Sequence, residues 1–319
     1  MSTRCLHTLP RFTTRAAGAG GAGGPSARAA LARTVASSVT TYRYENGRRY
    51  HAYKDGAYYQ PNDDKQASAG TIEHHLWLLT LRDALFLAPL ENPQRVLDVG
   101  TGTGLWAVDM ADRYPAVEVI GTDLSPTQVP FAPPNVRFEI DDCCSEWTYP
   151  ANSFDLIHVR GLVGSVANWP AFYAECMRHL QPGLGYLEQL EFDVRFESEP
   201  DDEADKALFD RLGDLFVEAG VRMEKSFKIA ENMRARIEEA GFVDVVERRF
   251  MWPIGTWHAD ERLKEIGHWN MRNWENGMEG WILALLTRTL GWSYDDVQLY
   301  EARLLKALRE RNVRVRHYV

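Results

Sequence analysis

The sequence has few cysteines, and their spacing is not that of a crosslinked or zinc-binding protein. Its 319 residues contain four of them: Cys5, Cys143, Cys144 and Cys176. The adjacent pair at 143 and 144 lacks the C-x-x-C spacing of zinc and redox sites. We therefore predict no disulfide framework and no metal site. This usage fits a reducing compartment inside the cell, in the cytoplasm or the nucleus.

Long apolar runs are also missing. Residues 76–79 and 283–286 are apolar, but charged residues interrupt both runs well short of the roughly 20 residues that span a membrane. The sequence therefore predicts no transmembrane helix. A hydrophobic content of 45% with 25% charged residues is instead typical of a globular domain.

Acidic residues are absent from the first 44 positions, which contain six arginines. The remaining chain therefore carries a net charge of −15, against −9 for the whole. Such an acidic body argues against direct binding of nucleic acid or an anionic membrane surface. Residues 1–41 include the low-complexity run 18–24, and we predict a disordered basic tail. The same composition is typical of a transit peptide, so the mitochondrial matrix is an alternative location.

Strands and helices alternate through the middle of the chain. The predicted strands are almost entirely apolar, which indicates a parallel sheet covered by helices on both faces. The sequence therefore predicts an α/β fold with a mostly parallel central sheet. These strands are predicted at residues 95–99, 117–122, 136–140, 154–159 and 185–190.

The rest of the chain is predicted to form additions to this sheet. An N-terminal extension, residues 42–90, contains six tyrosines before residue 60 and a helix at 71–88. The cofactor-binding core is predicted at 91–195, and acidic helices at 196–240 are expected to form a lid. The last part, 241–319, begins with a strand at 243–252, continues as helices and ends in a short strand at 313–319.

A glycine-rich loop follows the first strand of the core. Gly100, Gly102 and Gly104 alternate with other residues, and a helix begins directly after them. A phosphate-binding loop would need Lys-Ser/Thr after the glycines, where this chain has Leu-Trp. The dinucleotide pattern G-x-G-x-x-G is not matched either. The remaining candidate ligand is S-adenosylmethionine. Its ammonium group would suit Asp98 at the end of the strand.

Acidic residues at the next strand ends support this reading. Asp123 follows the second strand, where a carboxylate can accept both ribose hydroxyls of a nucleoside. Asp142 follows the third and can accept from an adenine amino group, with Asp141 as a weaker alternative and Cys143 as a backbone donor. Each aspartate alone could equally cap a turn or helix. In combination they predict an S-adenosylmethionine site along one edge of the sheet.

Several further motifs carry a family resemblance. The chain resembles class I S-adenosylmethionine-dependent methyltransferases, and within them the LaeA-like methyltransferases of filamentous fungi. The resemblance implies a Rossmann-like fold and adds Thr101, Leu124 and Arg160 to the predicted cofactor-binding residues, although Arg160 could instead fix the loop after its strand. The matching motifs are ENGRRYHAYK at 45–54, PND at 61–63, HHL at 74–76, IHVR at 157–160, LQPGLG at 180–185, GF at 241–242 and PIGTW at 253–257.

The chain departs from this family in two places. Family members usually have an arginine and an aspartate where this sequence has Ala69 and Thr71. The contacts that this segment makes over the cofactor are therefore expected to differ from those of the family. Family members also commonly continue past the final His-x-aromatic segment through a full last strand, whereas this sequence stops at Val319. The edge strand is therefore expected to be short.

Methyl transfer needs in-line geometry more than it needs a base, whose use depends on the pKa of the acceptor. His158 and His75 are the predicted catalytic residues, with His74 beside the latter. Glu188 and Glu191 are acids expected near the site. A packed histidine in a strand is the alternative for His158, and His74 and His75 could equally be one core and one surface residue.

The tryptophans after residue 250 could line an aromatic acceptor pocket, although tryptophans at helical spacing are more often core. Three functions follow. The first is an enzyme that methylates a small molecule in fungal secondary metabolism. The second is a LaeA-like regulator acting in a nuclear protein complex, and the third is a cofactor-binding module without transfer activity.

Overall fold

We describe a computed structural model of the chain, covering residues 41–199, 203–310 and 313–319. The predicted basic tail lies outside these residues, apart from Thr41. No helix within the described ranges has both the length and the apolar character needed to cross a membrane.

A five-stranded parallel sheet forms the centre of the molecule, as predicted. The strands are β3 (Arg95–Val99), β4 (Glu118–Asp123), β5 (Val136–Ile140), β6 (Leu156–Arg160) and β7 (Tyr186–Leu190). Their spatial order is β5-β4-β3-β6-β7: the chain adds β4 and β5 on one side of β3 and then crosses over to add β6 and β7 on the other side. The crevice beside such a change of side is where open α/β sheets bind ligands.

Apolar side chains cover both faces of this sheet. Side chains alternate along a strand, so Val96 and Leu97 of β3 enter different cores. Val96 packs with Trp106 and Met110 of the first helix after the glycine loop, whereas Leu97 packs into the larger core. Before the insertion, the helices are α1 (Asp64–Leu81), α2 (Leu105–Arg113) and α3 (Trp169–His179).

The N-terminal extension begins with a short hairpin, β1 (Arg43–Glu45) and β2 (Arg48–Tyr50). Helix α1 was predicted at 71–88, but it starts seven residues earlier and ends at Leu81. Asp63 explains the start, because its carboxylate accepts from the Gln66 amide and caps the helix. Arg82 explains the end, since it adopts a left-handed conformation with φ of 56°.

The insertion after β7 and the C-terminal part supply a second, antiparallel sheet of order β8-β10-β9. The final strand is confirmed as β10. The strand predicted at 243–252 is wrong in extent, because pairing with β10 begins only at Met251, while Val243 and Val246 are exposed. These elements are β8 (Glu197–Glu199), α4 (Glu203–Met223), α5 (Ile229–Glu239), β9 (Met251–Ile254), α6 (Glu261–Ala284), α7 (Tyr294–Glu310) and β10 (Arg314–Tyr318), with a π-helical turn at Leu285–Thr289.

Candidate active site

A cavity of about 410 Å³ opens at the carboxyl ends of β3, β4, β5 and β6. Helix α1 and the extension before it form one side, and α4 and α6 form the other. The cavity therefore has a polar half built from strand ends and an apolar half built from the additions to the sheet. Eight predicted cofactor-binding residues line it: Gly100, Thr101, Gly102, Asp123, Leu124, Asp142, Cys143 and Arg160.

The glycine loop needs its glycines for different reasons. All three have positive φ angles of 57° to 82°. A Cβ at Gly104 would lie 2.5 Å from Phe138 Cζ, whereas a Cβ at Gly102 would meet no atom within 4 Å. Gly104 therefore allows α2 to pack onto the sheet and does not line the cavity. Gly102 leaves open space beside the backbone, where a ligand can approach.

Asp98 and His158 lie beneath the loop and do not reach the cavity. Asp98 accepts from the Thr101 hydroxyl at 2.6 Å and from His158 Nδ1 at 2.8 Å, and both Asp98 and His158 are buried. The His158 ring stacks on Trp106 with centroids 3.7 Å apart. Burial lowers the pKa of His158, although the bond to Asp98 opposes this effect.

The structure does not bring two of the predicted site residues to the cavity. His158 is a packed strand histidine and does not line the cavity. Asp98 does not line it either, and its carboxylate accepts from Thr101 and His158. Its carboxylate instead supports the loop, holding Thr101 where that residue lines the cavity.

Asp123, at the end of β4, lines the cavity. Its two carboxylate oxygens accept from the Gly102 and Ser125 amides, each at 2.9 Å. Burial raises the pKa of Asp123 to about 6, with the two amides opposing the rise and Asp98 adding to it. A carboxylate has lone pairs for about four hydrogen bonds, so capacity remains on the side that faces the cavity.

Asp142 is paired with a residue that the sequence did not single out. Its carboxylate receives the ammonium of Lys54, from the N-terminal extension, and the Cys144 amide at 2.9 Å. Burial alone would raise the pKa of Asp142, but these two groups outweigh it and hold the pKa below its usual value. Atoms of Asp142, Cys143 and Cys144 that could ligate a metal lie within 4.8 Å of one another. The Asp142 carboxylate, however, is already paired with the Lys54 ammonium.

Arg160, the last residue of β6, lines the cavity with its Nη1 3.3 Å from His74 Nδ1. His74 is buried and also bonds to Asp109 at 2.9 Å. His75 is half-buried, packs edge-to-face on Trp269 and does not line the cavity. The predicted catalytic role of His75 therefore has no support from its position.

The other two predicted acids serve the backbone. Glu188 accepts from the Leu87 and Ala88 amides, both at 2.7 Å. Glu191 accepts from the Leu162 and Val163 amides, and burial raises the pKa of Glu191 to about 7. Neither acid lines the cavity.

Aromatic residues form the apolar half of the cavity. Two of the five tryptophans after residue 253 contribute, Trp274 and Trp281 on α6, with ring centroids 5.7 Å apart. Trp252 lies instead in the core, where its Nε1 donates to Thr80. The other members of this apolar wall are Val194, Phe192, Phe196, Leu212, Phe216, Phe227, Met278 and Ile282.

Several lining residues were missed in the sequence. The extension contributes Tyr58, Tyr59 and Asn62, and the Asn62 amide donates to the Ser125 hydroxyl at 3.1 Å. Glu73 on α1 also faces the cavity. The tyrosine-rich stretch before α1 indicated packing, but no local pattern indicated its partner.

Comparisons with known proteins agree with this geometry. A family model described as a methyltransferase domain matches residues 73–247. The methyltransferase pytC of Aspergillus terreus is 38% identical over 83% of this chain and 82% of its own length. The secondary metabolism regulator laeA of Aspergillus fumigatus is 35% identical over 80% of this chain and 68% of its own.

Solved structures also match. One is the phosphoethanolamine N-methyltransferase 2 of Haemonchus contortus with S-adenosyl-L-methionine, at 17% identity and a TM-score of 0.45, covering 90% of this chain and 72% of that one. The sequence relatives carry the assignment, because they extend over both the glycine loop and the additions to the sheet. The chain belongs to the S-adenosylmethionine-dependent methyltransferases, in the group that contains pytC and LaeA.

Proposed function

We propose that the polar half of the cavity binds S-adenosylmethionine and that the apolar half binds a small-molecule methyl acceptor. The observation that carries the proposal is the continuity of the cavity, in which the glycine loop and the α6 tryptophans line one space. Donor and acceptor can thus meet without leaving the protein. The methyl acceptor proposed here belongs to secondary metabolism, which the name of the laeA relative mentions.

The residues present fit this cofactor. The open backbone at Gly102 can lie against its aminoacyl part, and the Arg160 guanidinium suits its carboxylate. Asp123 has acceptor capacity for the ribose hydroxyls. Asp142 and the backbone of Cys143, next to Leu124 in the cavity wall, suit the adenine.

When bound, S-adenosylmethionine supplies a methyl group on a positively charged sulfur, open to in-line attack by a nucleophile. The residues of this chain position the partners and exclude water from between them. Holding donor and acceptor in the reactive geometry can lower the activation free energy by about 7–11 kcal/mol. This is enough to account for most of the catalysis of a methyl transfer. The tight aromatic wall and the buried loop are suited to that task.

Isothermal calorimetry with S-adenosylmethionine tests the cofactor assignment. We expect Asp123→Asn to weaken binding by about 10- to 100-fold, since it removes a charged acceptor from two hydroxyls. Asp112→Asn, an exposed aspartate on α2, is the matched control and should bind like the wild type. Equal affinity of wild type and Asp123→Asn would contradict the assignment.

A second candidate function is regulation of secondary-metabolite genes within a nuclear protein complex. It is favoured by the 35% identity to a protein named a secondary metabolism regulator. A deletion strain complemented with the wild type or with Asp123→Asn separates the two candidate functions. Altered transcripts without a missing methylated metabolite, together with a nuclear tagged protein, would favour regulation. A missing methylated metabolite with unchanged transcripts would favour the small-molecule enzyme.

A further inference from the structure

One face of α1 forms the wall between the two halves of the cavity. Its lining positions follow helical spacing: Asp63 at the cap, then Gln66, Ala67, Gly70 and Glu73. A Cβ at Gly70 would meet no atom within 4 Å, so this face is open in its middle. A ligand in the cavity can therefore reach Glu73 across the open space at Gly70.

The Glu73 carboxylate lies where the polar and apolar halves meet. A Cβ at Gly161 would lie 3.9 Å from Glu73 Oε1 and 3.3 Å from Phe192 Cε2, so carboxylate and aromatic wall come together at that glycine. Gly161 follows β6 directly and has a φ of 69°. Within the described part of the chain, Glu73 accepts no hydrogen bond, and Arg160 is the charge that acts on it.

Several other titratable groups that line the cavity are less suited to take a proton from an acceptor. His317 lines the apolar half, but burial lowers its pKa to about 4, so it is a weak base. Asp123 and Asp142 are held by backbone amides, and Asp63 is paired with Arg48. Asp193 is paired with Arg249.

The apolar half also restricts the charge of an acceptor. Among the residues described, no lysine or arginine belongs to the apolar wall itself, and Lys225, which also lines the cavity, donates to the Ala57 carbonyl. Asn273 adds a buried amide oxygen that has no partner within the described ranges. Such a wall suits an uncharged ring with a polar substituent, because an anion would lose its hydration against apolar side chains.

We propose that Glu73 is the catalytic base and that the acceptor is an uncharged, ring-containing molecule whose methylated oxygen or nitrogen carries a proton. This inference rests on the proposed function. In the step, the bond from the acceptor heteroatom to the methyl carbon forms while the carbon–sulfur bond breaks. The sulfonium becomes a neutral thioether, and the proton of the heteroatom passes to the Glu73 carboxylate and then to solvent.

The electrostatics agree with this role. Burial raises the pKa of Glu73, with Arg160 opposing the rise, so the carboxylate is a stronger base than an exposed glutamate. Arg160 can keep it ionised until the acceptor binds. The carboxylate then accepts a hydrogen bond from the acceptor.

Three naphthalene probes test the inference on protein loaded with S-adenosylhomocysteine. We expect 2-naphthol to bind about tenfold or more tightly than 2-methoxynaphthalene, which lacks the proton, and than the anion 2-naphthoate. Glu73→Gln should remove most of the preference for 2-naphthol over 2-methoxynaphthalene. Asp64→Asn, on the same helix but outside the cavity, should keep it.

Cofactor binding separates this inference from the proposed function. Glu73→Gln should bind S-adenosylhomocysteine within about twofold of wild type, and any methyl transfer to 2-naphthol should fall about 100-fold in kcat. Equal binding of the three probes, an unchanged preference in Glu73→Gln, or lost cofactor binding in that variant would overturn the inference. Failure of the wild type to bind S-adenosylhomocysteine would instead refute the proposed function.

Discussion

The two halves of the cavity are built in different ways. The polar half comes from strand ends and their loops between residues 100 and 161, a stretch in which strand, loop and helix follow each other closely in sequence. The apolar half comes from segments far apart in sequence, including Phe192, Phe216 and Trp274. The donor site therefore depends on backbone geometry, whereas the acceptor site depends on side chains that tertiary packing brings together.

The largest expected effect is on stability and comes from Gly104→Val, which disturbs the backbone geometry of the glycine loop. A Cβ there would lie 2.5 Å from Phe138 Cζ, and valine disfavours the φ of 82°. We expect a loss of about 3 kcal/mol or more in the free energy of unfolding. Urea denaturation measures it. Gly102→Ala, with open space around it, should lose only about 1 kcal/mol, and equal losses would contradict this account.

The next effect concerns the charge of Asp123. Its folded-state pKa is about 6, above that of an unfolded aspartate, so the folded protein binds this proton more tightly. The contribution of Asp123 to stability is therefore present below the unfolded pKa and is lost as pH rises through about 6. The affinity for S-adenosylmethionine should instead increase as pH rises through about 6, since hydroxyl groups donate more strongly to the ionised carboxylate.

Calorimetry between pH 5 and pH 8 checks this expectation. Affinity should fall by up to about tenfold per pH unit below pH 6 in the wild type. Asp123→Asn has no such proton and should show a flat profile over that range. A wild-type profile as flat as that of the variant would show that Asp123 does not contact the cofactor.

A smaller effect is expected in the apolar half. Trp281 is half-buried at the cavity wall, so Trp281→Leu should remove contact area with little effect on folding. We expect 2-naphthol binding to weaken about tenfold while S-adenosylmethionine binding stays the same. Fluorescence and calorimetry measure the two. A parallel loss of both would show that the halves are not separate sites.

The smallest effect is expected from Lys54→Met. This change leaves Asp142 without its ammonium partner, and the Asp142 pKa should rise from its depressed value. Lys54 is partly exposed, so screening by water limits the consequence. We expect S-adenosylmethionine affinity to change by no more than about threefold. A change above tenfold would mean that Lys54 contacts the cofactor directly.

The sequence was most informative where function depends on short-range backbone geometry. The parallel sheet, the glycine loop and the cavity-facing aspartates 123 and 142 could be predicted, since strand, turn and acid follow each other within a few residues. Asp98 and His158 were located on the correct strands, but their pairing beneath the loop depends on neighbouring strands. Nothing in the local sequence distinguishes a carboxylate that faces a ligand from one that supports a loop.

Long-range features could not be obtained in this way. The pairing of Lys54 with Asp142 spans 88 positions, and the role of Glu73 depends on Gly161 and Phe192. The strand predicted at 243–252 failed for a related reason. Its residues have strand-forming character, but β10 offers a partner only from Met251 onward.

Helix α6 supplies Asn273, Trp274, Met278, Trp281 and Ile282 to the cavity from one continuous face. Inserting a single residue ahead of Asn273 would rotate everything after it by about 100° and present a different set of side chains. Because Trp274, Met278 and Ile282 also pack in the main core, that insertion would destabilise the fold. The half-buried Trp281 is the position on this face where a substitution can reshape the acceptor pocket while the core and the glycine loop stay intact.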